Sequence, residues 1–484
     1  MKNIIKLLIL ADDLTGALDT GVQFAKRGIK RGTDIKVYLS LDDAVQDLRE
    51  NAANPHGAVR VINTDTRHTP AEEARKAVTA AVSAFPDCTH FYKKTDSCLR
   101  GNIGAELEAL MEATGCSLLP FVPAYPALKR TTRGGCQYLD GVLLHQSPMA
   151  GDPLNPVADS FIPSILGKQT KVPVRLVGTD LGNCRGSCCR GTEPRGTDLG
   201  NCRGSCRRGT DPAETILVFD GETPAHLKAA AKALREKGLL RVSAGCAGFA
   251  EALTEALPFG QENESRNAFT PMERLPILVV TGSLNPVSIA QVEAARERNV
   301  PCFGVAEEDL LAEGWFGSEK ARSLAAECRR SLEARGIAVL GTDLALGINA
   351  VSIHAMGTDL LGTNAVGKTQ PPASDNSQQI SCQIARQIAS GKIADGLGKI
   401  TQTIISETSP LHLVVFGGDT LLGIMKTLGY KYLNPLKEIF PGVVLAKKGN
   451  SYLVTKSGAF GERGLIMAIE ESFHGLQLSD NRIK

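Results

Sequence analysis

The 484-residue sequence has no surplus of either charge: 54 lysines and arginines face 52 acidic residues, a formal net charge of +2. Without a basic excess, neither a nucleic-acid backbone nor an anionic membrane surface has an electrostatic reason to bind. No apolar run approaches the roughly 20 residues that span a bilayer. The start, Met1 to Lys6, leads straight into a strand-like stretch without a leader-cleavage pattern, so a cytoplasmic protein with no nucleic-acid or membrane partner is expected. A disulfide pattern is missing too. The 13 cysteines are odd in number and mostly scattered singly among apolar residues, which suits a reducing compartment. What is present, 43% hydrophobic and 22% charged residues, is the composition of an ordinary globular chain. Its length exceeds what one core supports, so two domains or slightly more are expected.

The chain opens on its most informative stretch. The apolar run Ile4 to Leu10 reads as a strand buried on both faces. It stops at two adjacent carboxylates, Asp12 and Asp13, and a helix follows from about Thr15, with Ala17, Leu18, Val22 and Phe24 on one face. Ligands of open parallel sheets sit beyond the carboxyl ends of the strands, so this junction lies where chemistry is done. One aspartate could simply cap the helix, but a cap needs only one carboxylate. Asp12-Asp13-Leu14-Thr15-Gly16-Ala17, followed by Asp19-Thr20-Gly21, resembles the opening motif of the four-carbon acid sugar kinases. These are ATP-dependent enzymes that phosphorylate tetronates such as threonate, erythronate and 3-oxo-tetronates.

Further segments extend the resemblance. A strand over 58–62 runs into Asp65 and Arg67 before a helix start at Thr69-Pro70, and the family has a similar Asp-Ser/Thr-Arg segment. Strand 90–94 ends in Lys94-Thr95-Asp96-Ser97-Cys98-Leu99-Arg100-Gly101, which is similar to the family's second motif. An anionic sugar acid needs cations to grip its carboxylate, and arginine does so bidentately. Lys129-Arg130-Thr131-Thr132 departs from the family's Gly-Arg-Thr-Thr in its first position, and Asp152 to Val157 completes the likeness. Cys136 to His145 reads as a hairpin turning at Asp140-Gly141.

The second half repeats a strand–Gly-turn–helix pattern. Strand 276–280 precedes Thr281-Gly282-Ser283 and a helix capped by Asn285 with Pro286 in its first turn; strand 411–416 precedes Gly417-Gly418-Asp419-Thr420; strand 452–455 precedes Lys456-Ser457-Gly458-Ala459-Phe460-Gly461. Small residues let a backbone approach phosphates, and helix N-termini favour negative charge. Each turn alone is weak; three in one domain point to a nucleotide site. The residues Val242 to Phe249 read as the start of a helical region closing the first domain.

Two stretches look inserted. Residues 178–195 and 196–213 are an 18-residue tandem repeat with three differences, polar and without apolar periodicity. It reads as a dispensable surface loop. Its Cys184, Cys188, Cys189, Cys202 and Cys206 have no accompanying histidine, so no metal ligands are assigned. Gly362 to Thr369 matches the phosphate-loop pattern Gly-x4-Gly-Lys-Thr, but Pro371 and Pro372 stand where its helix should begin.

The expected fold is α/β with two domains, each a mainly parallel sheet flanked by helices, and the active site in the cleft between them. Residues 1–260 would form a sugar-acid-binding domain carrying the 178–213 repeat, and 270–484 a nucleotide-binding domain carrying an insertion at 341–376, joined by a polar linker near 261–267. The resemblance implies a kinase using ATP and Mg2+ on a sugar-acid substrate of the D-threonate or D-erythronate type, giving the 4-phosphate. By it Asp12, Asp13 and Arg100 are catalytic, one aspartate orienting or deprotonating the acceptor hydroxyl and the other helping to hold Mg2+, while Arg67, Lys94, Asp96, Ser97 and Arg130 bind substrate. Ser283, Gly417, Gly418, Asp419, Thr420 and Gly458 would hold ATP. Alternatives are a 3-oxo-tetronate kinase, a non-catalytic sensor on the same scaffold, or a phosphate-loop NTPase using Lys368; self-association into a homo-oligomer is left open.

Overall fold

The structure is a computed structural model; it describes residues 5–26, 35–51, 59–152, 155–179, 214–257, 275–348, 376–408, 410–448 and 451–475. The chain divides into two units, Met1–Arg266 with Lys431–Glu438, and Asn267–Tyr430 with Ile439–Lys484.

The first unit is built on strands β1 (Leu7–Ala11), β2 (Lys36–Tyr38), β3 (Val59–Asn63), β4 (His90–Lys94), β5 (Leu118–Val122), β9 (Val174–Val177), β10 (Thr215–Phe219) and β11 (Val242–Gly245). They lie in the order β2-β3-β1-β4-β11-β5-β10-β9, every neighbouring pair parallel. Helices α1 (Leu14–Lys26), α2 (Leu41–Glu50), α3 (Ala71–Ala84), α4 (Ile103–Thr114), α5 (Ile162–Gly167), α6 (Pro224–Glu236) and α7 (Ala247–Ala256) link them. A sheet covered on both faces needs continuous apolar strands, and β1 and β10 are buried at all five positions. β1 is the switch point: the chain leaves it for β2 and β3 on one side and returns to β4 on the other, which opens a crevice at the carboxyl ends.

β6 (Arg130–Arg133), β7 (Cys136–Leu139) and β8 (Val142–Leu143) form a separate antiparallel sheet. Asp140 and Gly141 both have positive φ, 52° and 79°, as the expected hairpin turn requires. Two features differ from the sequence reading. Val242–Gly245 is a fully buried inner strand, not a helix start; four residues that include serine, alanine and glycine carry no strand period. Residues 431–438 belong to the first unit, where Tyr432 and Leu433 of β16 (Tyr432–Phe440) pair antiparallel with Tyr38 and Val37 at the edge of β2. No local signal marks which sheet a strand joins.

In the second unit, β12 (Ile277–Thr281), β13 (Cys302–Val305), β14 (Ile337–Thr342), β15 (His412–Phe416), β17 (Val443–Lys448) and β18 (Ser451–Lys456) lie in the order β13-β14-β12-β15-β18-β17. All pairs are parallel except β17 with β18. The helices are α8 (Pro286–Glu297), α9 (Glu307–Leu311), α10 (Glu319–Arg335), α11 (Asn376–Glu407), α12 (Gly418–Thr427) and α13 (Leu465–Gly475). α12 is seated against α11 through glycines: a Cβ on Gly423 would lie 2.5 Å from the backbone of Ala394, and one on Gly398 2.4 Å from Thr427 Oγ1. That contact fixes where the N-terminus of α12 points. The linker near 261–267, the cysteines of the repeat and the phosphate-loop match at 362–369 lie outside the described residues. Among the described residues, no helix is long and apolar enough to cross a membrane.

Candidate active site

Strand register brings the first unit's motifs to one level. Ala11 is opposite Asn63 in β3 and Lys94 in β4, so Asp12, Thr64 and Thr95 leave the sheet side by side. Arg67 ties them together: its Nε donates to Asp12 Oδ2 at 2.8 Å and its Nη2 to Asp13 Oδ1 at 2.7 Å, with Asp96 Oδ1 3.7 Å away. The loop is shaped for this, because the amides of Thr66 and Arg67 both donate to the carbonyl of Asp12. Asp13 also caps α1, accepting from the Gly16 amide at 3.0 Å and Thr15 Oγ1 at 2.6 Å. It therefore caps a helix and belongs to the charged cluster at once. Burial pushes the Asp13 carboxyl up, but Arg67, Lys94 and Thr15 outweigh it and leave it below the usual range.

The second motif folds on itself. Arg100 donates from Nε and Nη2 to both oxygens of Asp96, at 2.8 and 3.1 Å, and from Nη1 to Asp152 Oδ2 at 2.9 Å. Burial alone would raise Asp96; Arg100, Arg67 and Lys94 instead hold it far below the usual carboxylate range. Lys94 Nζ donates to the Thr95 carbonyl at 2.8 Å and lies where a Cβ on Gly16 would be, 2.7 Å from that position. Ser97 is held by its backbone, whose carbonyl accepts from Gln137 Nε2. Arg130, on β6, is buried and donates to the Leu128 carbonyl at 2.6 Å. Lys129 before it has φ 57°, the left-handed region where glycine is at ease. A glycine at this position would carry no such strain.

Sequence reasoning missed what lies beneath and beside this cluster. Lys93, fully buried, pairs with buried Glu106 at 3.1 Å, and Glu106 accepts from Thr66 Oγ1 at 2.5 Å, bracing the Arg67 loop from below. Their alternation along β4 and α4 looks like ordinary surface charge. Asp12 Oδ1 and Asp19 Oδ1 are buried with no hydrogen-bond partner among the described residues. Asp19 sits one helical turn beyond Thr15 on α1, and burial pushes its carboxyl up to about 7, Lys94 opposing and Glu438 adding to the rise. Among the described residues, no group of three or more His, Cys, Asp or Glu is placed to hold a metal ion.

The second unit also gathers its motifs. Thr281 is level with Phe416, and Phe416 with Lys456, so the three turns start from one row. A Cβ on Gly282 would lie 2.6 Å from Thr420 Oγ1; one on Gly458 would lie 2.5 Å from Ser283 Oγ and 3.1 Å from Asn285 Cβ. Gly417 has φ 101°, its amide donates to the Lys456 carbonyl, and a Cβ there would stand 3.5 Å from Ser283 Cβ. Asn285 caps α8 through the Val287 amide at 3.0 Å, with Pro286 next, as expected. α12 begins at Gly418 with no side-chain cap on its first amides, and Asp419 stands exposed on its first turn. Two helix N-termini and a glycine turn thus meet beside Ser283 and Thr420, an arrangement suited to phosphate.

The family model described as a sugar-binding N-terminal domain matches residues 7–253, over half of the chain, and that described as a nucleotide-binding C-terminal domain matches residues 344–466. A D-threonate kinase from Salmonella typhimurium is 29% identical over 94% of this chain and 95% of its own length. A D-erythronate kinase from Heliobacterium modesticaldum is 26% identical over 95% of this chain and 94% of its own. The fold matches a crystal structure of a proposed tRNA synthase from Salmonella typhimurium LT2, with a TM-score of 0.64, 21% identity, and 97% of this chain and 99% of that one covered. On the match of both domain models in this order, and with the motifs assembled as described, the chain belongs to the four-carbon acid sugar kinase family.

Proposed function

We propose that the protein transfers the γ-phosphoryl group of MgATP to a hydroxyl of a four-carbon sugar acid, of the D-threonate or D-erythronate type and yielding the 4-phosphate. The observation that carries this is the charged cluster at the carboxyl ends of β1, β3 and β4, where Arg67 joins Asp12 and Asp13 beside Lys94 and Arg100. Arg67, Lys94, Arg100 and Arg130 supply the positive field for the substrate carboxylate and the phosphoryl group, and Asp96 and Ser97 fix the wall that faces the hydroxyls. Such transfer needs mainly positioning and charge stabilisation. The acceptor oxygen bonds to the γ-phosphorus, the bridging bond to the β-phosphate breaks with its electron pair leaving on ADP, and the hydroxyl proton passes to a carboxylate.

Asp12 and Asp13 are bound to Arg67 and orient the acceptor; Asp19, unpartnered at Oδ1 and raised to about 7, is the better proton acceptor. Ser283, Gly417, Gly418, Asp419, Thr420 and Gly458 hold the nucleotide, which brings its magnesium as part of the MgATP substrate. The buried Cys88, Cys98, Cys246 and Cys328 are unpaired, which supports the cytoplasmic setting. Incubation with MgATP and a panel of tetronates, following ADP release, tests the reading. Turnover is expected on D-threonate or D-erythronate; 3-oxo-tetronate turnover alone would move the substrate, and tetronate binding without ADP release would show a sensor.

A further inference from the structure

The last strand of the second unit ends on a lysine that no acid among the described residues answers. Lys456 is 1% exposed. Its neighbours across the sheet are Phe416 of β15 and Val443 of β17, and its Nζ lies 4.4 Å from the centre of the Phe416 ring. Nζ donates to the Gly458 carbonyl at 2.9 Å, to Ser288 Oγ on α8 at 3.0 Å and to the Ser457 carbonyl at 3.3 Å. Among the described residues, no charged or titratable group of α8, β15, β17 or the 457–460 turn acts on it, and burial alone pushes its ammonium down to about 7. A buried cation without a counter-charge is costly, and the usual remedy is a partner or loss of the proton.

Its position explains why it is kept. The carbonyl it grips belongs to Gly458, whose missing side chain leaves room against Ser283 Oγ, and the carbonyl of Lys456 itself accepts from the Gly417 amide. Both other phosphate turns are therefore within a residue or two of it. We propose that Lys456 is the positioning residue of the nucleotide-phosphate cradle, holding the Gly458 turn through its carbonyl and supplying the positive charge that incoming phosphates neutralise. The inference rests on the second unit being the nucleotide-binding one. Its consequence is proton linkage. An anion beside the ammonium favours the charged form, so nucleotide binding above neutral pH takes up a proton, and affinity falls as pH rises from about 7.

The test is calorimetric titration of the full chain with MgADP at pH 7, 8 and 9, each in two buffers of different ionisation heat. The wild type is expected to take up close to one proton at pH 8, with affinity falling up to about tenfold per pH unit. Lys456→Arg, which cannot deprotonate, is expected to bind with no uptake and a flat pH response. Lys456→Met is expected to bind weakly at every pH. Binding by the wild type without proton uptake at pH 8, or uptake undiminished in Lys456→Arg, overturns the inference while leaving the nucleotide site intact. A wild type that binds no nucleotide at pH 7 overturns the nucleotide reading and the inference with it. The wild-type titration decides the matter even where a variant fails to fold.

Discussion

Gly16→Ala isolates the charged cluster from the fold. Gly16 lies within α1 and needs no left-handed backbone, so alanine there improves helix propensity by about 1 kcal/mol. The added Cβ, however, would lie 2.4 Å from Asp13 Oδ1 and 2.7 Å from Lys94 Nζ, where about 3.4 Å is comfortable. Both atoms are side-chain tips, so they can retreat, by about 1.0 and 0.7 Å respectively. Asp13 Oδ1 then loosens its bonds to Arg67 Nη2 and to the Gly16 amide. One weakened charge-assisted bond costs about 1.5–3 kcal/mol, and after the helix gain a net loss of about 1 kcal/mol remains. Activity is hit harder, because displacement by about 1 Å at the reacting groups lowers turnover roughly 100-fold. Steady-state ADP release on the preferred tetronate, with thermal melting alongside, checks both numbers. Wild-type turnover would show that Lys94 and Asp13 stand away from the chemistry; loss of the folded protein would show that Gly16 is a packing residue.

Asp19→Asn should abolish the rise in turnover with pH through about 7. It should also raise the melting temperature more at pH 8 than at pH 5: the wild-type acid is neutral in the fold at pH 5, and stability is lost as pH rises through its elevated value, whereas asparagine has no charge to bury. Melting curves in which the difference shrinks with pH would refute this. Gly458→Val should raise the KM for ATP steeply, since even a Cβ meets Ser283 Oγ at 2.5 Å, while Lys368→Ala should leave it near normal; the reverse outcome would return the nucleotide to the phosphate-loop match.

The α/β class and the strand ends that carry charge were legible because they rest on short-range chemistry. Asp12-Asp13 ending an apolar run, Asn285-Pro286 starting a helix and Asp140-Gly141 turning a hairpin each act within a few residues, and each is found in place. What escaped depends on pairing across the sheet. β11 is too short and too small in its side chains to show a period, yet it lies between β4 and β5 and sets Gly245 against Lys94. Lys93 and Glu106 look like surface charges until α4 packs them against each other. Asp96 and Asp152 take three of the donors of Arg100, and the bond to Asp152 spans 52 positions, too far for any local pattern to show it.

The tandem repeat shows where pattern and geometry part. Polar and aperiodic, residues 178–213 look removable outright. Strand pairing sets a limit, because Val174–Val177 run parallel to Ile216–Phe219, Val177 level with Phe219. From the end of one parallel strand to the start of the next the chain must return along the sheet, about 3.3 Å per residue, and such crossovers take roughly a dozen residues. Residues 178–214 supply 37, counted from the numbering; deleting 196–213 leaves 19 and deleting 178–213 leaves one. Removal of one copy should therefore leave melting temperature and turnover unchanged. Removal of both cannot keep β9 in register; it should strip that strand from the edge of fully buried β10 and lower the melting temperature or abolish soluble protein. Differential scanning calorimetry on the two deletions checks the order. Equal stability of both would mean that β9 is not held by β10, and failure of the single deletion would mean that the repeat itself is part of the core.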